Sequence, residues 1–97
     1  MKLFYSPGAC SLGIHVILEE IGKPFEAQLV STRDGSNRKP EFLALNPKGK
    51  IPALQRDDGT VLTEWPVIAW WLAKSNPMSN LIPVEFEAET RCLEWME

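Results

Sequence analysis

Between two short apolar runs, Lys2 to Tyr5 and Phe25 to Val30, the chain places a full helix's length of residues. From Ser11 to Ile21 the pattern is helical, with Leu12, Val16 and Ile17 contributing to one apolar face and Glu19-Glu20 to the wet side. Gly22 and then Pro24 supply the stop. A strand, a helix and a strand in this order imply a parallel pair joined by a right-handed crossover. That unit excludes an all-β or all-helical fold and limits what the rest of the chain can add.

The remaining elements follow in order. Ser31 to Pro40 is polar and reads as an exposed loop, and Glu41 to Leu45 as a short helical turn. Asn46-Pro47-Lys48-Gly49 is a turn signal. Ile51 to Gln55 is the third strand and Thr60 to Thr63 the fourth. Asp57-Asp58-Gly59 makes a hairpin between them, so these two strands are antiparallel. Pro66 to Ser75 has helical spacing at Val67, Ile68, Trp71 and Leu72, with Trp70 pointing elsewhere. Asn76-Pro77 stops it, and Pro83 is expected to open a last helix carrying Ala88, Cys92, Leu93, Trp95 and Met96. The order β-α-β, small helix, β-β-α predicts a thioredoxin-like α/β sandwich. It has a four-stranded mixed sheet with helices on both faces, and the start of an additional C-terminal helix.

Composition narrows the partners. Ninety-seven residues make one domain. The formal net charge of -3 argues against nucleic acid as the main partner. No polybasic run suits an anionic membrane, and no apolar stretch approaches the roughly 20 residues of a membrane span. The first apolar run ends at Ser6, too soon for a signal peptide. Two cysteines far apart, Cys10 and Cys92, are no disulfide framework, and a reduced, cytoplasmic protein is expected.

Chemistry concentrates at Tyr5-Ser6-Pro7-Gly8-Ala9-Cys10-Ser11, where the strand breaks and the helix begins. The first N–H groups of a helix lack partners inside it and, with the macrodipole, favour negative charge. A thiolate is negative, so Cys10 is placed to be reactive. Packing alone also accounts for a small cysteine with apolar neighbours. His15 lies about 140° around the helix from Cys10 and is read as a structural residue. No His/Cys/Asp cluster has metal-ligand spacing, so no metal site is expected.

Three pieces together, Tyr5 to Ser11, Asn46 to Leu54 (Asn-Pro-Lys-Gly-Lys-Ile-Pro-Ala-Leu) and Asp57 to Glu64 (Asp-Asp-Gly-Thr-Val-Leu-Thr-Glu), resemble the N-terminal domain of cytosolic glutathione transferases. The bacterial beta class is the most similar. The resemblance implies glutathione as cosubstrate, with Cys10 at its sulfur, where a mixed disulfide can form, and Ser11 beside it. It implies a cis bond before Pro52, which turns the backbone of Ile51 outward to pair with the cysteinyl part of glutathione. Lys50 would meet the glycine carboxylate, and otherwise it is an ordinary edge lysine. Glu64 would pair with the γ-glutamyl amine, and the helix start at the next residue would receive the carboxylate; otherwise Glu64 is only a helix-start acid. Trp65 and Pro66 depart from the family pattern. Trp65 brings bulk to that place and Pro66 lacks an N–H, so weak binding at the γ-glutamyl end is expected.

The same resemblance divides the chain into residues 1–77, the glutathione-binding domain, a linker at 78–82, and 83–97, the first helix of a missing or truncated all-helical domain. It places the helix of Cys92 away from the Cys10 loop. Three functions follow. The first is a transferase module lacking its electrophile-binding domain. The second is single-thiol, glutathione-dependent disulfide exchange at Cys10, with Gly13 where a second cysteine would stand in Cys-x-x-Cys. The third is a non-catalytic oligomerising or binding module. Uncovered apolar helix surface predicts a homo-oligomer.

Overall fold

A computed structural model describes residues 1–96. Strand β1 (Lys2–Tyr5) pairs in parallel with β2 (Glu26–Leu29), and helix α1 (Ser11–Ile21) crosses between them. Gly22 ends α1 in the left-handed region, φ 78°, donating its N–H to Leu18 O at 3.2 Å. A residue without Cβ adopts that conformation at little cost, so the chain turns where the sequence indicates. Strand β1 also pairs antiparallel with β3 (Ala53–Gln55), and β3 with β4 (Val61–Thr63). The spatial order β2-β1-β3-β4 is the expected four-stranded mixed sheet, and β1 and β3 are its centre.

Alternation along the central strands sends neighbouring residues to opposite faces. Leu3 and Leu54, directly opposed, face α1 and α3 (Trp65–Ser75), where they pack with Ile14, Leu18, Ile68 and Leu72, all essentially inaccessible. Phe4 and Ala53 face the other way and pack with Val30 and with Phe42 from α2 (Pro40–Leu45). The rings of Phe4 and Phe42 meet edge to face at 5.6 Å, a favoured aromatic geometry. Helices thus cover both faces.

Element ends differ from expectation by one residue at β2, α2 and β4, and at three further places that matter more. Ile51 and Pro52 precede β3 instead of opening it, since proline has no N–H to give a ladder. Helix α3 begins one residue early, at Trp65. Pro83 does not open the last helix, α4, which spans Phe86–Met96. Its start is set by Glu85, whose carboxylate accepts the N–H of Glu87 at 3.1 Å and of Ala88 at 2.6 Å. An acid there satisfies orphan donors and suits the dipole, a stronger determinant than a proline three residues earlier. Glu97, part of the expected helix, lies outside the described residues.

Helix α4 runs back along α3. Trp70, expected to point elsewhere, donates its indole N–H to Glu89 Oε1 at 2.9 Å, and Lys74 Nζ lies 3.3 Å from the same oxygen. The Trp70 hydrogen bond, with the Lys74 interaction behind it, holds the Glu89 carboxyl below the usual glutamate range, against a desolvation that raises it. A carboxyl with a depressed folded-state value contributes stability at neutral pH that is lost as pH falls through that value. No α4 residue is fully buried. Among the described residues no helix is long and apolar enough to cross a membrane.

Candidate functional site

The sheet register assembles the site. Phe4 opposes Ala53, and Ala53 opposes Thr63. The next residues along, Tyr5, Pro52 and Glu64, therefore emerge at one end of the sheet. The Cys10 loop, the Ile51-Pro52 bond and the start of α3 come from three distant parts of the sequence and meet there.

Cys10 is the N-cap residue of α1, exposed, with no side-chain cap bond. The loop before it is closed by Ser11, which is buried: its hydroxyl donates to Ser6 O at 3.3 Å and accepts Ser6 N–H at 3.2 Å. Ser11 therefore spends its hydroxyl on the loop's own backbone. His15 faces Glu19 at 3.5 Å and meets the Phe25 ring edge to face, consistent with a structural helix residue.

The Ile51-Pro52 bond is cis. The turn before it is built on Asn46, which is 1% exposed. Its Nδ2 donates to Lys50 O at 2.8 Å and its Oδ1 accepts Lys48 N–H at 3.1 Å. Asn37 Nδ2 braces the same turn through Gly49 O at 2.7 Å. The Asn-Pro-Lys-Gly signal marks the turn in the sequence, but not that Asn46 is its buried centre. Lys50 itself is exposed.

Glu64 adopts φ 73°, ψ 126°, a region in which a residue with a Cβ is held at a cost on the order of 1–3 kcal/mol. It is the N-cap residue of α3, and its carbonyl accepts Ile68 N–H at 3.1 Å. Its carboxylate makes no cap bond, so the side chain is not acting as a helix-start acid. It lies instead 3.8 Å from Lys48 Nζ, which also donates to Thr63 Oγ1 at 3.2 Å. Both partners are half exposed, so this pair contributes little to stability. Lys48 is a residue that sequence reasoning passed over; its only signal was a position in the same turn as Lys50.

The indole of Trp65 reaches across to α1. Its Nε1 donates to Cys10 O at 3.0 Å, and its ring covers Gly13. The bulk foreseen at the γ-glutamyl end thus lies between α1 and α3. Pro66 does withhold an N–H, and the first N–H of α3 to bond within the helix is that of Ile68.

Cys92 requires a correction. Because α4 turns back along α3, its last turns reach Trp65, and Cys10, Trp65, Cys92, Trp95 and Met96 line one open cleft of about 590 Å³. Both cysteines are free thiols. A second open cleft, about 340 Å³, is lined by Pro66, Val67, Trp70 and Leu93.

The sheet thus carries a thiol at the start of the first helix and a cis-proline at the edge beside it. A family model described as the glutathione S-transferase N-terminal domain matches residues 7–75, and the chain belongs to that family. It is 44% identical, over 99% of its length, to glutathione S-transferase GstA of Escherichia coli O157:H7, of which it covers 49%. A sphingomonad glutathione S-transferase solved in complex with glutathione superposes with a TM-score of 0.85 at 45% identity, covering 99% of this chain and 49% of that one. A bacterial beta class glutathione S-transferase from Sphingomonas chungbukensis gives 0.86 at 42%, with the same coverage of both chains. The chain spans about half the length of these relatives.

Proposed function

We propose that this chain is the glutathione-binding part of a glutathione transferase. The observation that carries the reading is the register, which gathers Cys10, Ile51-Pro52 and the strained Glu64 at one end of the sheet. Cys10 meets the glutathione sulfur at the positive end of α1, where the N–H of Ser11 has no backbone acceptor. Ile51, beside Pro52, pairs its backbone with the cysteinyl part of glutathione as an added strand does. Glu64 takes the γ-glutamyl amine, the N–H of Trp65 takes the carboxylate, and Lys50 meets the glycine carboxylate. Residues 1–77 form this domain, 78–82 link it onward, and 83–97 open an all-helical domain that supplies the electrophile pocket. A reducing, cytoplasmic setting suits the thiol.

Calorimetry with glutathione tests the assignment. Glu64→Gln keeps the side-chain shape and removes the charge that meets the amine. A charge-assisted hydrogen bond of about 1.5–3 kcal/mol corresponds to at least about tenfold weaker binding. Affinity unchanged within twofold would remove Glu64 from the site. Exchange at Cys10 with a mixed disulfide is a second reading, favoured by the exposure of that thiol and tested below.

The apolar surface of α3 and α4 supports association of two copies. Val67, Trp70 and Leu93 line an open cleft, and Phe86 and Trp95 are 81% and 89% exposed. Sedimentation is expected to show a dimer or larger species whose fraction rises with protein concentration. A monomer at every concentration overturns this.

A further inference from the structure

Trp65 joins two parts of the site that no strand or helix connects. Its backbone is the first residue of α3, next to Glu64, and its side chain reaches the first turn of α1. The carbonyl oxygen of Cys10 accepts from Gly13 N–H at 3.2 Å, inside the turn, and from Trp65 Nε1 at 3.0 Å, from outside it. The second bond fixes the peptide plane that follows Cys10. The contact below it is equally specific. A Cβ at Gly13 would stand 2.8 Å from Trp65 Cζ2 and 2.9 Å from Nε1, closer than real carbon contacts come. Glycine at 13 is what admits the ring. The Cys10 side chain makes no cap bond of its own, so its placement depends on the backbone that this ring holds.

We propose that Trp65 is a positioning residue for Cys10. The indole ties the first turn of α1 to the start of α3, and so holds the peptide between Cys10 and Ser11, whose N–H has no backbone acceptor, while the N–H groups of Leu12 and Gly13 are taken by Ala9 O and Cys10 O. This rests on Cys10 being the reacting thiol of the proposed function. It replaces the expectation that Trp65 only obstructs the ligand.

Two variants approach the contact from opposite sides. Trp65→Phe keeps an aromatic ring over Gly13 and deletes the N–H donor. Gly13→Ala keeps Trp65 and displaces its ring. In each, alkylation of Cys10 by iodoacetamide is followed by peptide mapping across about pH 5 to 10, with Cys92 as the internal reference. Loss of one hydrogen bond, typically about 0.5–1.5 kcal/mol net, corresponds to about a twofold to tenfold change in rate. The Cys10 rate at neutral pH is expected to fall by that factor, and the pH of half-maximal rate to rise, with Cys92 unchanged. A merely structural role would leave the pH profile in place. Unchanged Cys10 profiles in whichever variants retain the native circular dichroism overturn the proposal, and Trp65→Ala, which removes both the donor and the ring, is read in the same way if Gly13→Ala unfolds the chain. Glutathione calorimetry on the parent protein is read separately. Absent binding there defeats the transferase reading, whereas a displaced Cys10 profile still supports the positioning role.

Discussion

Cys10→Ser is expected to abolish exchange with a glutathione mixed disulfide while leaving the fold intact. In that exchange the Cys10 thiolate attacks the glutathionyl sulfur, forms a Cys10–glutathione disulfide and releases the other thiol; a second glutathione thiolate then attacks and frees Cys10 as glutathione disulfide leaves. A serine hydroxyl is not ionised near neutral pH and cannot replace the sulfur. The loss in rate is expected to be on the order of a thousandfold or more. Stability is expected to change little, because Cys10 is exposed and makes no side-chain bond. Its backbone is helical (φ -61°, ψ -15°) and the Leu12 and Gly13 N–H groups are already taken by Ala9 O and Cys10 O, which leaves a serine hydroxyl nothing to cap. Release of thiol from the mixed disulfide, measured beside a thermal melt, checks both. Turnover surviving in the variant would move the chemistry to Cys92 or out of this chain.

Leu54→Ala is expected to cost about 2–5 kcal/mol of folding stability. Leu54 is wholly inaccessible on a central strand, between Leu3 on β1 and Leu62 on β4, beneath the packed side chains of α1 and α3. A domain this size has a total stability of about 5–15 kcal/mol, and 1 kcal/mol moves the midpoint by roughly 4–8 °C. The melt should therefore fall by at least about 8 °C. Leu62→Ala, at a half-buried edge-strand position, should cost clearly less. A loss below about 1 kcal/mol at Leu54 would mean that α1 and α3 close over the gap, and that the two-faced core described above is looser than its burial indicates.

The parts of the fold legible in the sequence are those set by neighbours along the chain. The change of period at Ser11 and the glycine stop at Gly22 give α1 its ends, and the Asp-Asp-Gly turn places β3 against β4. The core residues Leu3, Leu54 and Ile68 follow once the strands are aligned. Contacts made across the fold were not legible. Lys48 reaches Glu64 only because the turn around Asn46 folds against the end of β4. The direction of the Trp65 ring is decided by the room above Gly13 and by a carbonyl 55 residues earlier. Cys92 reaches the Cys10 cleft because the Glu89 contact lays α4 back along α3. In each case the residue type alone allowed several partners, and the tertiary arrangement chose one.

Helix α4 buries no residue fully and is held to α3 through Glu89, Trp70 and Lys74. An element attached in this way opens at much lower free energy than the strands beneath it, as a separate cooperative unit. Its amides exchange with solvent through that local opening, while those of β1 and β3 wait for global unfolding. Because Cys92 and Trp95 form one wall of the open cleft around Cys10, that wall is a population, set by how much of the time α4 is docked.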